Sequence, residues 1–559
     1  MTELLSIRNL SISFGKAEQL RPVLQPLSLT LSRGKLLALV GESGSGKSVT
    51  ALSILRLLPA EARVSGELLF SDGGKSVDLL QLPQAQLEQL RGNRIAMIFQ
   101  EPMTALNPVL TCGQQIVEVL QKHKKLSRAE ARRAAIAWLG KVRLPDPEGM
   151  LKRYPHQLSG GQKQRVMIAI ALCCEPALLI CDEPTTALDV TVQRSILETI
   201  RALQQELHMA VLFITHDLGV VADIADDVAV LYRGELVESG KCAQVLRDPQ
   251  HPYTKALLAC RPALHPRGQR LPVVADFLEG KSSEATENKT PIAGTGKAVE
   301  IRDLVVRFPL RRNLWGKTTS SFTAVDGVSL DIYQGEALGL VGESGCGKST
   351  LGRALLHLVT PNVGSVRIGG QDLAHMNSAR LNDFRRDVQL VFQDPYSALN
   401  PKLTVGEALS EPLALRMGMR QAERRQRVRQ LLNQVGLPES AAGRHPHAFS
   451  GGQRQRIVIA RALTLNPSLL VCDESVSALD VSVQAQVLNL LNDLRRELSL
   501  TLLFISHDLS VVRYMSDRIA VMQAGKIVEL GAADDVYYRP KEQYTRELLA
   551  AIPGKISNL

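Results

Sequence analysis

Short unbroken apolar runs recur along the chain, each closed by glycine or by polar residues. "LLALV" (36–40) runs into "GESGSGKS", "LLIC" (178–181) into "DEP", and "VLFI" (211–214) into "THD". Runs of this length without polar alternation predict strands buried on both faces, as in a parallel sheet. The stretch "KLLALVGESGSGKSVTALSILRLL" therefore reads as a strand, a glycine-rich turn and a helix. "LSGGQ" (158–162) and "FSGGQ" (449–453) each precede a long amphipathic stretch. No window approaches the 18 consecutive apolar residues of a membrane-spanning helix. The N-terminal stretch carries an acid at Glu3 and no long apolar core, unlike a secretion signal.

The same series of elements occurs twice in the same order. "GESGSGKS" (41–48) returns as "GESGCGKS" (342–349), and "IAMIFQEPMTALNP" (95–108) as "VQLVFQDPYSALNP" (388–401). "LLICDEPTTALDVTVQ" (178–193) returns as "LLVCDESVSALDVSVQ" (469–484). Lys47 and Lys348 are 301 positions apart, Gln100 and Gln393 are 293 apart, and Ser159 and Ser450 are 291 apart. The first copy thus carries about eight extra residues between Lys47 and Gln100, expected in a surface loop near "FSDGGKSVDLLQLPQ". The period is that of a duplicated domain: 1–260, a connector over 261–297, and 298–559. Within the connector, "EGKSSEATENKTPIAGTGK" (279–297) is polar, rich in small residues and without apolar periodicity, so a flexible linker is expected. "RRNLWGKTTSSF" (311–322) is expected to be an extended hairpin loop.

Composition changes this picture little. The 559 residues carry a net charge of +10. That charge fits a solvated basic surface or attraction to an anionic lipid face better than nucleic-acid binding, since no dense Lys/Arg run is interleaved with aromatics. The eight cysteines form no CxxC pair, so most are expected to be small buried hydrophobes.

The chemistry lies where the apolar runs end. Glycines 41, 44 and 46 let the backbone curl so that its N–H groups face one anion at the start of a helix. Lys47 then reaches the outer phosphates and the Ser48 hydroxyl a magnesium ion. Asp182 and Glu183 end an apolar strand, where parallel sheets place their ligands. Asp182 is expected on the metal and Glu183 as general base toward a water. His216 and His507 follow strands beside the same site and are expected at the γ-phosphate. Ser159, Gly160 and Gly161 form a second anion-facing helix start. One half has no need of two such surfaces for one nucleotide, so the two copies are expected to complete each other.

The ordered set of phosphate loop, Gln100, LSGGQ, "CDEP", "LD" and His216, present twice, resembles the nucleotide-binding domain of ABC transporters over nearly the whole chain outside 261–297. The resemblance implies an α/β fold of two P-loop NTPase cassettes. Each would have a RecA-like core, an antiparallel β subdomain and an α-helical subdomain. It implies ATP and Mg2+ as cofactors. Nucleotide contacts are implied for Gly41, Glu42, Ser43, Gly44, Ser45, Gly46, Lys47 and Ser48, with Gly342, Glu343, Ser344, Gly345, Cys346, Gly347, Lys348 and Ser349 in the second copy. Phe14 and Phe308 resemble the aromatic that stacks on adenine. Gln100 and Gln393 resemble the glutamine that touches metal and water. The signature residues are Ser159, Gly160, Gly161 and Gln162, with Ser450, Gly451, Gly452 and Gln453. Asp189 and Asp480 resemble the residue that crosses between cassettes. Metal contacts fall to Ser48, Gln100 and Asp182, with Ser349, Gln393 and Asp473; Glu183, Glu474, His216 and His507 are the implied catalytic set.

Head-to-tail pairing would put Lys47 and Glu183 with Ser450, and Lys348 and Glu474 with Ser159. "QEPMTALNP", "YPHQLSGGQ" and "HPYTKALL" (251–258) resemble the peptide, nickel, glutathione and microcin C importer branch, most closely the fused microcin C/oligopeptide type. That implies ATP hydrolysis driving import through two separate permease subunits, a periplasmic binding protein, no nucleic acid, and a peripheral place on the cytoplasmic face of the inner membrane. Soluble paired-cassette proteins of ribosomes or DNA repair fit less well, for the connector is short and no cysteine insertion is present; an exporter fits the subgroup motifs less well. Ser475 replaces the proline usual after the second glutamate, beside the chemistry, and both sites are expected to be active. Only Cys260 lies near the segment where some relatives hold an iron–sulfur centre, so such a centre is not expected.

Overall fold

The computed structural model describes the chain apart from residues 1–2, 16–19, 101–104, 186–187, 280–293, 295, 313–317, 478 and 555–559. Most of the 279–297 linker and the middle of the 311–322 loop therefore lie outside the described residues. The chain divides into two compact units, Met1–Leu258 with Pro553–Leu559, and Ala259–Ile552.

In the first unit, β1 (Glu3–Phe14), β2 (Arg21–Ser32), β4 (Ala62–Asp72) and β5 (Lys75–Asp78) form an antiparallel sheet in the order β2-β1-β4-β5. A second sheet holds β3 (Leu36–Val40), β6 (Ile95–Ile98), β7 (Leu178–Asp182), β8 (Ala210–Thr215), β9 (Asp227–Tyr232) and β10 (Glu235–Lys241) in the order β10-β9-β3-β8-β7-β6. Its strands are parallel except for β10, which turns back on β9. The apolar runs are its centre: every residue of β3, β7 and β8 is buried. Their side chains alternate between two cores. Leu178 and Ile180 join the core under the antiparallel sheet, whereas Leu179 and Cys181 join the one under the helices. Helices α1 (Lys47–Ile54), α2 (Cys112–Lys124), α3 (Arg128–Lys141), α4 (Gly160–Leu172), α5 (Val190–Leu207), α6 (Leu218–Ile224) and α7 (Pro252–Ala259) follow in chain order. Helices α2 to α4 build a helical layer between β6 and β7. The starts of α2 and α3 are fixed by capping boxes, Thr111 with Gln114 and Ser127 with Glu130.

The extra residues of the first half lie mainly in the β4–β5 hairpin. Its turn is Gly73-Gly74, at φ 62° and 81°, conformations that suit the right-handed twist of a hairpin and need glycine. The matching strands of the second unit, Val363–Ile368 and Gln371–Asp372, are shorter.

The second unit begins with α8 (Val274–Leu278) and repeats the architecture. Its antiparallel sheet runs β12 (Thr318–Tyr333), β11 (Lys297–Arg312), β14 (Val363–Ile368), β15 (Gln371–Asp372). The other runs β16 (Val388–Val391), β17 (Leu469–Asp473), β18 (Thr501–Ser506), β13 (Ala337–Val341), β19 (Arg518–Gln523), β20 (Lys526–Ala532). Its helices include α9 (Lys348–Leu355), α10 (Val405–Met417), α11 (Gln421–Gln434), α12 (Gly451–Ala462), α13 (Val481–Leu498), α14 (Leu509–Met515) and α15 (Gln543–Ala550). All eight cysteines are buried and free, as small apolar residues would be.

One part of the 261–297 connector differs from the sequence reading. Residues 259–278 pack within the second unit. Asn489 on α13 accepts the Leu271 N–H at 2.9 Å and donates to its carbonyl at 2.8 Å, both buried. Tyr514 on α14 donates to the Gln269 carbonyl at 2.8 Å. The Arg513 guanidinium donates to the carbonyls of Pro262 and His265, and Arg270 pairs with Asp493 at 2.8 Å. This stretch has three prolines and three arginines between 261 and 272, so no apolar period advertises it. It is held by side chains bonding to its backbone. Replacing Asn489 with leucine should raise the hydrogen-exchange rate of the Leu271 amide by about tenfold or more, as expected when a buried amide loses a side-chain acceptor. An unchanged rate, read by exchange mass spectrometry or NMR, would show that Asn489 does not hold the segment.

Candidate functional site

The phosphate loop leaves β3 at Gly41 and enters α1 at Lys47. Gly46, the N-cap of α1, sits at φ 101°, where a side chain would be strained. A Cβ there would also stand 3.3 Å from the Val23 carbonyl. Gly347 repeats the conformation at φ 110° before α9. The Lys47 ammonium is buried and donates to the carbonyls of Gly41 (2.7 Å) and Glu42 (2.9 Å). Lys348 does the same to Gly342 (2.7 Å) and Glu343 (2.8 Å). A buried cation held by neutral carbonyls, at the positive end of a helix, is an electrostatic site for an anion. Among the described residues the buried Ser45 hydroxyl has no hydrogen-bond partner; Cys346 stands at its place in the second loop.

At the end of β7 the Asp182 carboxylate accepts the Ser48 hydroxyl at 3.0 Å, and at the end of β17 Asp473 accepts Ser349 at 2.9 Å. Burial pushes both aspartate carboxyls above their ordinary range. The serine hydroxyls oppose this, the neighbouring glutamates add to it, and the loop lysines pull down. A hydroxyl and a carboxylate oxygen side by side form the hard-oxygen pair that a magnesium ion accepts.

The glutamates show a feature that sequence patterns do not carry. Glu183 and Glu474 both adopt left-handed backbone at φ 46°, a costly conformation for a side-chain-bearing residue that clusters at functional sites. Each is held there by its own N–H, bonded to the Ile214 or Ile505 carbonyl at 3.0 and 2.9 Å. The turn breaks the two-residue alternation of the strand. Asp182 can then meet Ser48 while Glu183 meets Gln100, whose amide donates to Oε2 at 3.2 Å, and His216, whose Nδ1 lies 3.3 Å away. In the second copy Gln393 donates to Glu474 at 2.6 Å and His507 Nδ1 lies at 3.7 Å. Burial works against the Glu474 charge, but the His507 hydrogen bond and the charges of His507 and Lys348 outweigh it and hold the carboxyl below its ordinary value. With Ser475 in the place of Pro184, Glu474 keeps the φ of 46° that Glu183 has.

Lys47, Ser48, Asp182, Glu183, Gln100 and His216 thus come together within one unit, and their counterparts within the other. The signature residues stand apart from these contacts. The Ser159 hydroxyl caps α4 by accepting the Gln162 N–H at 3.3 Å, and the Gln162 side chain returns the bond to the Ser159 N–H at 3.2 Å. Ser450 and Gln453 repeat the box. Gly161 and Gly452 admit close helix packing: a Cβ would lie 2.6 Å from Val192 on α5, or 2.1 Å from Val483 on α13. Asp189 caps α5 by accepting the Val192 N–H at 3.0 Å, and Asp480 holds the matching N-cap of α13. Phe14 ends β1, half-buried against the core below the antiparallel sheet, and Phe308 is exposed on β11 opposite Phe322.

Tyr253 and Tyr544 belong to the site but carry no chemical motif of their own. The Tyr253 hydroxyl accepts the Glu42 N–H at 3.0 Å, and Tyr544 accepts the Glu343 N–H at 3.0 Å. The signal in the sequence was the recurrence of "HPYTKALL" as "EQYTRELL", which keeps the tyrosine while the residues before it change.

Two mutually similar sheets, each with a phosphate loop facing a strand-end carboxylate pair, define an ATP-hydrolysing cassette. Residues 24–186 and 325–477 match the ABC transporter family model, and residues 237–287 match that of the oligopeptide/dipeptide transporter C-terminal region. The chain is 50% identical over 554 residues to the glutathione import ATP-binding protein GsiA of Pectobacterium atrosepticum, covering 98% of this chain and 89% of that one. It is 49% identical to GsiA of Escherichia coli K12 over 559 residues, with 98% and 89% covered. The chain belongs to the ABC transporter family. More particularly, it is a two-cassette ATP-binding and ATP-hydrolysing subunit of the importer type.

The glycine packing gives a test. Gly452→Ala should lower stability by about 1–3 kcal/mol through overpacking, seen as a lower unfolding temperature, and Val483→Ala in the same chain should restore most of the loss. Failure of the second change to rescue the first would place the constraint elsewhere than the α12–α13 contact.

Proposed function

We propose that both cassettes hydrolyse Mg·ATP in one shared cycle that drives uptake of a peptide-like solute. The carrying observation is that the same three pairings occur in both cassettes: the loop lysine to its loop carbonyls, the serine to the aspartate, and the glutamine to a glutamate with a histidine beside it. In this reading Lys47 and Lys348 leave their carbonyls for the β- and γ-phosphates, and the loop N–H groups take the remaining charge. Ser48 with Asp182, and Ser349 with Asp473, hold the magnesium ion, which supplies charge neutralisation at the phosphates. Gln100 and Gln393 orient the attacking water. Glu183 and Glu474 take its proton as its oxygen bonds to the γ-phosphorus and the bond to ADP breaks. His216 and His507 stabilise the γ-phosphate. Phe14 and Phe308 lie against adenine.

Ser159 and Ser450 cap the starts of α4 and α12, and helix N-termini of this kind suit an anion; this supports a head-to-tail arrangement in which Ser159 and Ser450, with Asp189 and Asp480, serve the opposite cassette. The partners are two permease chains and a periplasmic binding protein. Among the described residues no helix is long and apolar enough to cross a membrane, so a peripheral place on the cytoplasmic face of the inner membrane rests on those permeases. A groove of about 610 Å³ in the helical layer, lined by Thr111, Gln114, Val117, Gln121, Arg128 and Leu151, follows Gln100 closely in the chain and suits a short permease segment. The GsiA relatives import glutathione, which favours a short peptide as cargo; a microcin-like peptide is the alternative within the same branch.

The doubly substituted Glu183→Gln/Glu474→Gln chain should bind ATP as tightly as the parent and hydrolyse it at least about a hundredfold more slowly. Hydrolysis at the parental rate, measured as phosphate release, would remove the two glutamates from the role of base.

A further inference from the structure

The match to the oligopeptide/dipeptide transporter C-terminal region covers a segment with no role in the catalytic set above. The structure gives it one. Helix α7 places Tyr253, fully buried, beneath the start of the phosphate loop, and α15 places Tyr544, about 9% exposed, at the same point of the second loop. The N–H of Glu42 and the carbonyl of Gly41 belong to one peptide group. The N–H side is bonded to the Tyr253 hydroxyl, and the carbonyl side accepts the Lys47 ammonium at 2.7 Å. The second unit repeats both bonds across the Gly342–Glu343 peptide, with Tyr544 on one side and Lys348 on the other. A donor on one edge of a peptide and an acceptor on the other fix its plane, and each bond polarises the group for the other.

The tyrosine is itself held from several sides. The Tyr253 ring lies 4.3 Å from that of Tyr232 on β9. The Glu238 carboxylate on β10 accepts the N–H groups of Gln250 and His251 just before α7. In the second unit Glu529 on β20 accepts those of Lys541 and Glu542, and the Thr545 hydroxyl as well. Gly41 and Gly342 lie close against the Leu231 and Met522 carbonyls, where an added Cβ would stand 2.2 and 2.1 Å from them, so the first peptide of the loop has little room on that side.

We propose that Tyr253 and Tyr544 are positioning residues for ATP binding. Each hydroxyl fixes the peptide whose carbonyl holds the loop lysine before nucleotide arrives, so the loop is already shaped for the phosphates. The hydroxyl touches no reacting atom. Its loss therefore weakens capture of ATP and leaves the chemical step alone, which is the signature of a ground-state binding effect.

The test uses the full-length chain with Tyr253→Phe, Tyr544→Phe and both together. Phenylalanine keeps the ring and its burial and removes one hydrogen-bond acceptor. The double variant should show a KM for ATP raised about three- to tenfold, the worth of one such bond at each site, with kcat within about twofold of the parent. The dissociation constant for a fluorescent ATP analogue should rise equally. Thr545→Val is the control: it loosens the anchoring of α15 to Glu529 but keeps the Tyr544 hydroxyl, and its KM should stay parental. An unchanged KM in the double tyrosine variant, or a fall in kcat at unchanged KM, overturns the proposal. So does a Thr545→Val effect as large as that of Tyr544→Phe, which would trace the loss to the helix and not to the hydroxyl.

Discussion

The structure depends on holding a hydrogen-bonded ammonium, with little access to water, at the end of a parallel strand. Lys47 and Lys348 are each about 4% exposed and carry a charge that burial disfavours unless it is paired or hydrogen-bonded. Two loop carbonyls satisfy it in each cassette. The rest of each cassette's local design follows. The loop must curl so that those carbonyls converge, which demands glycine at Gly46 and Gly347. It must leave a strand whose neighbours are parallel, so that Asp182 or Asp473 ends beside it. The strands must be buried on both faces, hence the continuous apolar runs and the two cores that share alternate side chains of one sheet.

The second constraint is conformational. Bringing an aspartate and the next glutamate to bear on one site from a strand end requires a residue in a conformation that strands do not allow. Glu183 and Glu474 take it, and a hydrogen bond from each main chain to the adjacent strand secures it. This is strain kept in place by a rigid parallel sheet, and its occurrence in both copies marks it as part of the site's design. The copies differ away from this set. The first has the longer β4–β5 hairpin. The second has Cys346 where the first has Ser45, and its α13 and α14 receive residues 259–278 through Asn489, Arg513 and Tyr514, positions held in the first half by Glu198, Ala222 and Asp223.

Much of this was legible in the residues. The apolar runs gave the central strands, and the repeat gave two units. The order of motifs singled out Lys47, Ser48, Asp182, Glu183, Gln100 and His216, which the fold brings near one another. Three features were not legible, for physical reasons. The left-handed glutamate has no propensity signal, because tertiary bonds impose it. The docking of 259–278 is made by backbone groups of a proline- and arginine-rich stretch, whose composition resembles that of a linker. Tyr253 looks like any buried aromatic until its hydroxyl is seen against a peptide some two hundred residues away. Ser159 and Gln162 form an ordinary capping box, a pattern that in the sequence also suits the anion-facing role proposed for them.

The central claim is that each cassette binds nucleotide phosphates around its own lysine. Equilibrium dialysis with a non-hydrolysable ATP analogue and magnesium tests it most directly. The account predicts two nucleotides per chain in the parent, and one in each of the single variants Lys47→Ala and Lys348→Ala. A single nucleotide per parental chain, or undiminished binding after both lysines are removed, would contradict it.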